Sequence, residues 1–315
     1  MTVCVVGAGA WGTALALHCA RLGHDVVLVA RNPDPIRAAR ESPRLPGAVL
    51  PNQVEVADKP PNRADLVLLA VPVQHLREVL GSGLPDAPLV LCMKGLERGS
   101  NLFPAEIASE TCPGTSVAIL TGPNFAGELA RGLPAAAVLA SLTPALRETV
   151  VPLLGSRNYR LYGSNDPVGA QVGGAAKNVV AIAAGIAVGA GLGENARAAL
   201  LTRGIAEIGR LAEALGGSAR TVAGLSGLGD LVLTCTGLAS RNFRFGLAVG
   251  QGTHPAAART AIGAAVEGVD AAPALLGRAG SVSCPIIAGV SSVLAGNADV
   301  AGVIAGLLER PFVDE

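Results

Sequence analysis

Three glycines constrain this chain more than any other feature. Gly7-Ala8-Gly9-Ala10-Trp11-Gly12 follows the apolar run Val3-Cys4-Val5-Val6 and leads into Thr13-Ala14-Leu15-Ala16-Leu17-His18-Cys19-Ala20. A short β-branched run closed by glycine reads as a buried strand, and the Ala/Leu-rich stretch after it as a helix. A strand that passes through three glycines straight into a helix suits the binding of a dinucleotide. Gly7 permits the tight turn, Gly9 leaves the main chain open to a pyrophosphate, and Gly12 lets the helix pack on the strand. The N–H groups and positive dipole end at the start of that helix would meet the phosphates. The spacing is common by itself; its place between a clean strand and a clean helix is what gives it weight.

The end of the second strand narrows the cofactor. Residues 25–30 form that strand, and Arg31 then Asn32 stand where an NAD enzyme usually carries an acidic group for the ribose 2′-hydroxyl. A guanidinium is always charged and offers paired donors to a 2′-phosphate, so NADP(H) is the expected cofactor. NAD(H) is also accepted on this reading, because Arg31 can stack on adenine.

Further strand-length apolar runs lie at 65–71, 88–93, 116–121 and 135–140, with helical segments between them. This alternation predicts a Rossmann-like, doubly wound, mainly parallel sheet covered on both faces, with a last strand at 159–162. The texture then changes. Helical stretches at 168–190, 194–215, 240–249, 255–264, 269–279 and 285–295 follow with no strand among them. The expectation is an α/β nucleotide-binding domain over 1–164 and an all-helical substrate-binding and catalytic domain over 165–315, with the active site in the cleft between.

Composition excludes several classes. Lys plus Arg equals Asp plus Glu, 24 each, so no global field favours nucleic acid or an anionic membrane and any anion site must be local. Half of the residues are hydrophobic yet only 3% are aromatic, with 41 glycines, which points to closely packed Ala/Gly/Leu/Val helices. Cys4, Cys19, Cys92, Cys112, Cys235 and Cys284 show neither C-x-x-C nor metal-ligand spacing and read as reduced core fillers, so no metal is expected. His18, His24, His75 and His254 read as structural. The first strand begins at once, leaving no room for a leader, and the uncharged run 178–193 is shorter than the ~20 apolar residues of a membrane span. A cytoplasmic enzyme with no stable membrane association is the expectation.

Ligands of open α/β sheets bind beyond the carboxyl ends of strands. Those ends here carry Val71-Pro72, Lys94-Gly95 and Gly122-Pro123-Asn124-Phe125-Ala126. Pro72 and Pro123 stop strands, whereas Lys94 faces either solvent or a ligand. Lys177 is the candidate acid/base, since it is the only charge between Asp166 and Glu194. Desolvation and a second cation such as Lys94 would lower its pKa toward neutrality. In Ser240-Arg241-Asn242 the serine is placed as an N-cap, so an anion would meet helix-start N–H groups and the Arg241 fork.

Together these residues closely resemble the bacterial-type NAD(P)-dependent glycerol-3-phosphate dehydrogenases. The likeness covers nearly the whole chain, through the Gly7–Leu15 segment, Lys94-Gly95-Leu96-Glu97, Gly122-Pro123-Asn124-Phe125-Ala126, Gly174-Ala175-Ala176-Lys177-Asn178, Asn195-Ala196-Arg197, Gly227-Leu228-Gly229-Asp230-Leu231, Ser240-Arg241-Asn242 and Val266-Glu267-Gly268. The resemblance implies reversible reduction of dihydroxyacetone phosphate to sn-glycerol 3-phosphate for phospholipid synthesis, with Lys177 as acid/base. By the same resemblance Lys94, Gly122, Asn124, Lys177, Asp230, Ser240, Arg241 and Asn242 would hold substrate. Beside Gly7, Gly9 and Gly12, the residues Ala10, Trp11, Arg31, Lys94, Ala126, Arg241, Ala265 and Glu267 would line the cofactor. Asn124 stands where the family often has a hydroxyl residue and Ala265 where it often has valine. The expected partners are a phosphorylated triose and a second copy of the chain in a homodimer.

Two other readings compete. A different dehydrogenase of the β-hydroxyacid type would reduce a carboxylate-bearing substrate. A non-catalytic nicotinamide sensor would need no proton donor, and Lys94, Lys177, Asp230 and the Ser240 cap speak against it.

Overall fold

A computed structural model describes residues 1–309 and divides the chain into two compact units: Met1–Glu97 with Leu102–Gln171, and Arg98–Asn101 with the chain from Val172 onward. The first unit is built on eight strands, β1 Thr2–Val6, β2 Asp25–Val29, β3 Val54–Ala57, β4 Leu66–Leu69, β5 Leu89–Leu91, β6 Val117–Thr121, β7 Ala135–Ala140 and β8 Tyr159–Ser164. They form one sheet in the order β3-β2-β1-β4-β5-β6-β7-β8, parallel throughout except where β6 meets β7. The inner strands β1 and β4 to β5 are continuous apolar runs because helices cover both faces, and Val3, Cys4, Val5 and Leu66 to Leu69 are buried. The six helices are α1 Ala10–Arg21, α2 Asp34–Ala39, α3 Leu76–Leu80, α4 Pro104–Thr111, α5 Ala126–Ala130 and α6 Pro144–Leu154.

Strand order reverses at β1, which has β2 on one side and β4 on the other. In open α/β sheets such a switch point is where ligands bind, beyond the carboxyl ends of the strands, here those of β1 and β4. Sequence periodicity passes over β3, which is short, lies at the sheet edge and buries only Val54 and Val56 around exposed Glu55.

The second unit is helical: α7 Pro167–Gly189, α8 Gly193–Ala214, α9 Ala219–Val222, α10 Asp230–Cys235, α11 Arg241–Gly250, α12 Pro255–Ile262, α13 Glu267–Ala279, α14 Pro285–Leu294 and α15 Val300–Leu308. Helix α7, whose first turn belongs to the sheet unit, is its axis, with every residue from 172 to 187 buried, Lys177 among them. By length and composition α7 could cross a membrane, longer than the run 178–193 suggested, because the lysine sits inside the helix and does not end it. Here it is a core helix. Glycines let α7 and α11 cross in close contact. A Cβ on Gly246 would lie 2.1 Å from the Ile182 carbonyl oxygen, and one on Gly185 2.2 Å from that of Phe243, so the two main chains touch directly.

Candidate active site

The glycine turn after β1 has the form its sequence requires. Gly7 has φ +110°, and a Cβ there would lie 2.8 Å from the Ala70 carbonyl oxygen at the end of β4. A Cβ on Gly12 would be 1.8 Å from the Gly7 carbonyl oxygen, so α1 starts flush against its own strand. Gly9 is the N-cap of α1, and its ideal Cβ meets nothing within 4 Å among the described residues. That space lies beside the first-turn N–H groups of Ala10, Trp11 and Gly12, which have no acceptor within the helix. An open, donor-lined turn fits a pyrophosphate. Arg31 is exposed just beyond β2.

The other strand ends lie in the same unit. Half-buried Lys94 follows β5 and donates from Nζ to the Gly122 carbonyl at 3.3 Å. Gly122 ends β6 with φ +151°, where a Cβ would lie 2.9 Å from the Ala137 Cα. Asn124 donates from Nδ2 to the Ala136 carbonyl at 3.1 Å, while its buried Oδ1 has no hydrogen-bond partner among the described residues. Ala126 begins α5.

The second unit holds the acid/base candidate. Lys177 Nζ lies 2.6 Å from Asp230 Oδ1 and donates to Thr234 Oγ1 at 2.7 Å, and the three residues are 7%, 1% and 5% exposed. Thr234 passes the contact on by donating to the Asp230 carbonyl at 2.6 Å. Burial of an amine disfavours its charge, but a carboxylate at this distance favours the ammonium. Within its own unit Lys177 thus has a carboxylate beside it, whereas the second cation named from the sequence, Lys94, belongs to the sheet unit. The Asp230 side chain is aimed by a π-helical turn, Leu225–Gly229, that runs directly into α10. Thr234 is absent from the sequence-based set, yet its spacing of four residues from Asp230 places both on one helix face.

Ser240 caps α11, accepting from the Phe243 N–H at 3.2 Å, so the N–H groups of Arg241 and Asn242 are first-turn donors. Arg241 is exposed beside them. The Asn242 carboxamide is engaged on both sides, donating to Asn178 Oδ1 at 2.9 Å and accepting from the Gly268 N–H at 3.0 Å. Asn178 in turn donates to Glu267 Oε2 at 3.0 Å. A ring of bonds thus joins α7, α11 and α13. Gly268 has to be glycine there, since a Cβ would sit 2.6 Å from the Asn178 carbonyl oxygen. Ala265 is exposed just before α13. The part played by Asn178 was legible only as the neighbour of Lys177. No group of three or more His, Cys, Asp or Glu side chains that could hold a metal occurs among the described residues.

The sequence pattern of the NAD-dependent glycerol-3-phosphate dehydrogenase N-terminus matches residues 2–146, and that of its C-terminus matches residues 166–305. The chain belongs to this family. Among glycerol-3-phosphate dehydrogenases [NAD(P)+], that of Gluconobacter oxydans (strain 621H) is 51% identical over 98% of this chain and 97% of its own length. That of Acidiphilium cryptum (strain JF-5) is 54% identical over 99% and 97%. The crystal structure of glycerol-3-phosphate dehydrogenase from Coxiella burnetii, 35% identical, superposes with a TM-score of 0.92 over 98% of this chain and 99% of that one. A D-mandelate dehydrogenase shares the fold alone, at 13% identity and a TM-score of 0.63 over 96% of this chain and 99% of its own. Among glycerol-3-phosphate dehydrogenases the family pattern thus spans both the sheet unit and the helical unit of this chain.

Proposed function

We propose that this chain catalyses the reversible NAD(P)H-dependent reduction of dihydroxyacetone phosphate to sn-glycerol 3-phosphate, supplying glycerophospholipid synthesis in the cytoplasm. The observation that carries the reading is the family match across both halves of the chain, with glycerol-3-phosphate dehydrogenases [NAD(P)+] of about equal length as relatives. In this reading residues 1–164 bind the cofactor, residues 165–315 bind substrate and perform the proton chemistry, and the enzyme is a homodimer without stable membrane association.

When bound, the reduced nicotinamide would supply the hydride. Gly7, Gly9, Ala10, Trp11 and Gly12 would hold the diphosphate, Arg31 the 2′-phosphate of NADP(H), and Lys94, Ala126, Arg241, Ala265 and Glu267 would line the rest of the cofactor. Lys177 delivers a proton to the carbonyl oxygen as it becomes an alkoxide, and withdraws it in the reverse direction. Asp230 holds the ammonium and Thr234 orients it. Ser240, the Arg241 fork and the main-chain N–H of Asn242 receive the substrate phosphate, the Asn242 carboxamide being committed to Asn178 and Gly268. Lys94, Gly122 and Asn124 complete the substrate pocket.

The test is oxidation of NADPH and of NADH followed at 340 nm with dihydroxyacetone phosphate and, in parallel, with 2-keto carboxylates. Turnover of the triose phosphate alone supports the reading. Turnover of a keto acid in its place would assign the chain a different reaction, and no turnover of any of them would favour a nicotinamide sensor.

A further inference from the structure

The glycine turn is braced by a residue far from it in sequence. Ser42 belongs to the excursion 40–53 between α2 and β3, and it is fully buried. Its hydroxyl donates to the Ala8 carbonyl oxygen at 2.9 Å and accepts from the Arg44 N–H at 3.3 Å. The excursion is itself held in shape by an antiparallel bridge between Glu41 and Val49. A bond from the Gly47 N–H to Glu41 Oε1 at 2.9 Å and another from the Leu45 N–H to the Ser42 carbonyl at 2.9 Å complete it.

Across a trans peptide the C=O and the N–H point in opposite directions. Anchoring the Ala8 carbonyl therefore sets the direction of the Gly9 N–H. The next carbonyl, that of Gly9, is taken by the Thr13 N–H at 2.9 Å, which starts α1. With both oxygens engaged, the turn shows N–H groups to its open side. A carbonyl swung toward a diphosphate would instead present its negative end to it. We propose that Ser42 is a positioning residue for the cofactor, holding the Ala8–Gly9 peptide so that its N–H faces the pyrophosphate.

This rests on the reading that the glycine turn carries the diphosphate, and the ligand set separates the two. Binding of NADPH, NADH, ADP-ribose and 2′-AMP is measured by calorimetry to the full-length protein and to its Ser42→Ala and Ser42→Thr variants. ADP-ribose carries the diphosphate without nicotinamide, and 2′-AMP carries the adenosine phosphate without the diphosphate. Ser42→Ala should weaken the three diphosphate ligands by one common factor, about three- to tenfold for a single hydrogen bond, and leave 2′-AMP unchanged. Ser42→Thr, which keeps the hydroxyl, should regain most of that loss. With NADPH saturating, kcat and the KM for dihydroxyacetone phosphate should match the parent. Unaltered binding of the diphosphate ligands to Ser42→Ala would overturn the proposal. An equal loss for 2′-AMP, or an Ala variant too unstable to bind any ligand while the Thr variant behaves no better, would reduce Ser42 to a structural residue. Failure of the parent protein to bind ADP-ribose would instead overturn the reading of the glycine turn.

Discussion

At the scale of single residues, Lys177 has an environment that suits proton transfer. A lysine with 7% of its surface exposed would ordinarily be excluded from a helix core, and the Asp230 carboxylate at 2.6 Å offsets its desolvation. Lys177→Met should bind NADPH nearly as well as the parent and lose about 10²–10⁴-fold in kcat, the usual worth of general acid catalysis. Steady-state rates alongside cofactor titration test this, and near-normal turnover would shift the role to Lys94. On the proposed reading, cofactor choice turns on Arg31. Arg31→Ala should weaken NADPH about 10–100-fold, as expected for one charge-assisted bond, and NADH much less. Equal losses in the two titrations would mean that Arg31 only stacks on the adenine.

At the scale of elements, α11 carries two predictions. Its N-terminus is capped by Ser240, which leaves first-turn N–H groups and the Arg241 fork for an anion. Arg241→Ala should lower kcat/KM for dihydroxyacetone phosphate about 10–100-fold and lower that for unphosphorylated dihydroxyacetone far less. Equal losses would send the phosphate site elsewhere. The body of α11 lies main chain to main chain on α7, and this close approach lets Asn242 reach Asn178. Gly246→Val should shift the urea midpoint down by the equivalent of at least about 1–3 kcal/mol, the cost of overpacking. A Val variant at 246 as stable as the parent would disprove the contact.

Across the whole molecule, stability should depend on pH through the core of the sheet unit. His18 on α1 packs edge-on against Tyr159 of β8 with ring centroids 4.9 Å apart, and its Nε2 lies 2.7 Å from the Leu154 carbonyl oxygen of α6. Burial holds its pKa below the ordinary value, outweighing the bond to Leu154. The unfolded chain then binds a proton that the native state resists, so stability is complete above about pH 6.5 and falls as acid charges the unfolded form. The slope for one proton is at most about 1.4 kcal/mol per pH unit. Urea midpoints between pH 7.5 and 5 should drop, and His18→Gln, which keeps a donor for Leu154, should flatten the drop. A His18→Gln curve parallel to the parent's would place the dependence in other groups. The thiols are silent over this range, since burial pushes Cys4 and Cys19 up to about 12.

Much of this architecture was readable without coordinates because its signals are local. The turn at Gly7 to Gly12, the apolar runs of the inner strands, the long helices after residue 165 and the Ser240 cap each depend on residues within a few positions of one another. Periodicity reports burial of an element, and it fails where an element is short and half-exposed, as β3 is. Motif order was equally local, and it carried the family resemblance from Gly7 to Gly268. What only the tertiary structure decided is which distant groups meet. Asp230 is 53 positions from Lys177, Ser42 is 34 from Ala8, and Asn242 is 64 from Asn178. No spacing rule predicts such pairs, because each depends on how helices cross and how far an excursion folds back. For that reason the sequence determined the kind of fold and the kind of chemistry, while packing decided that the buried lysine faces a carboxylate and that a serine from another loop steadies the glycine turn.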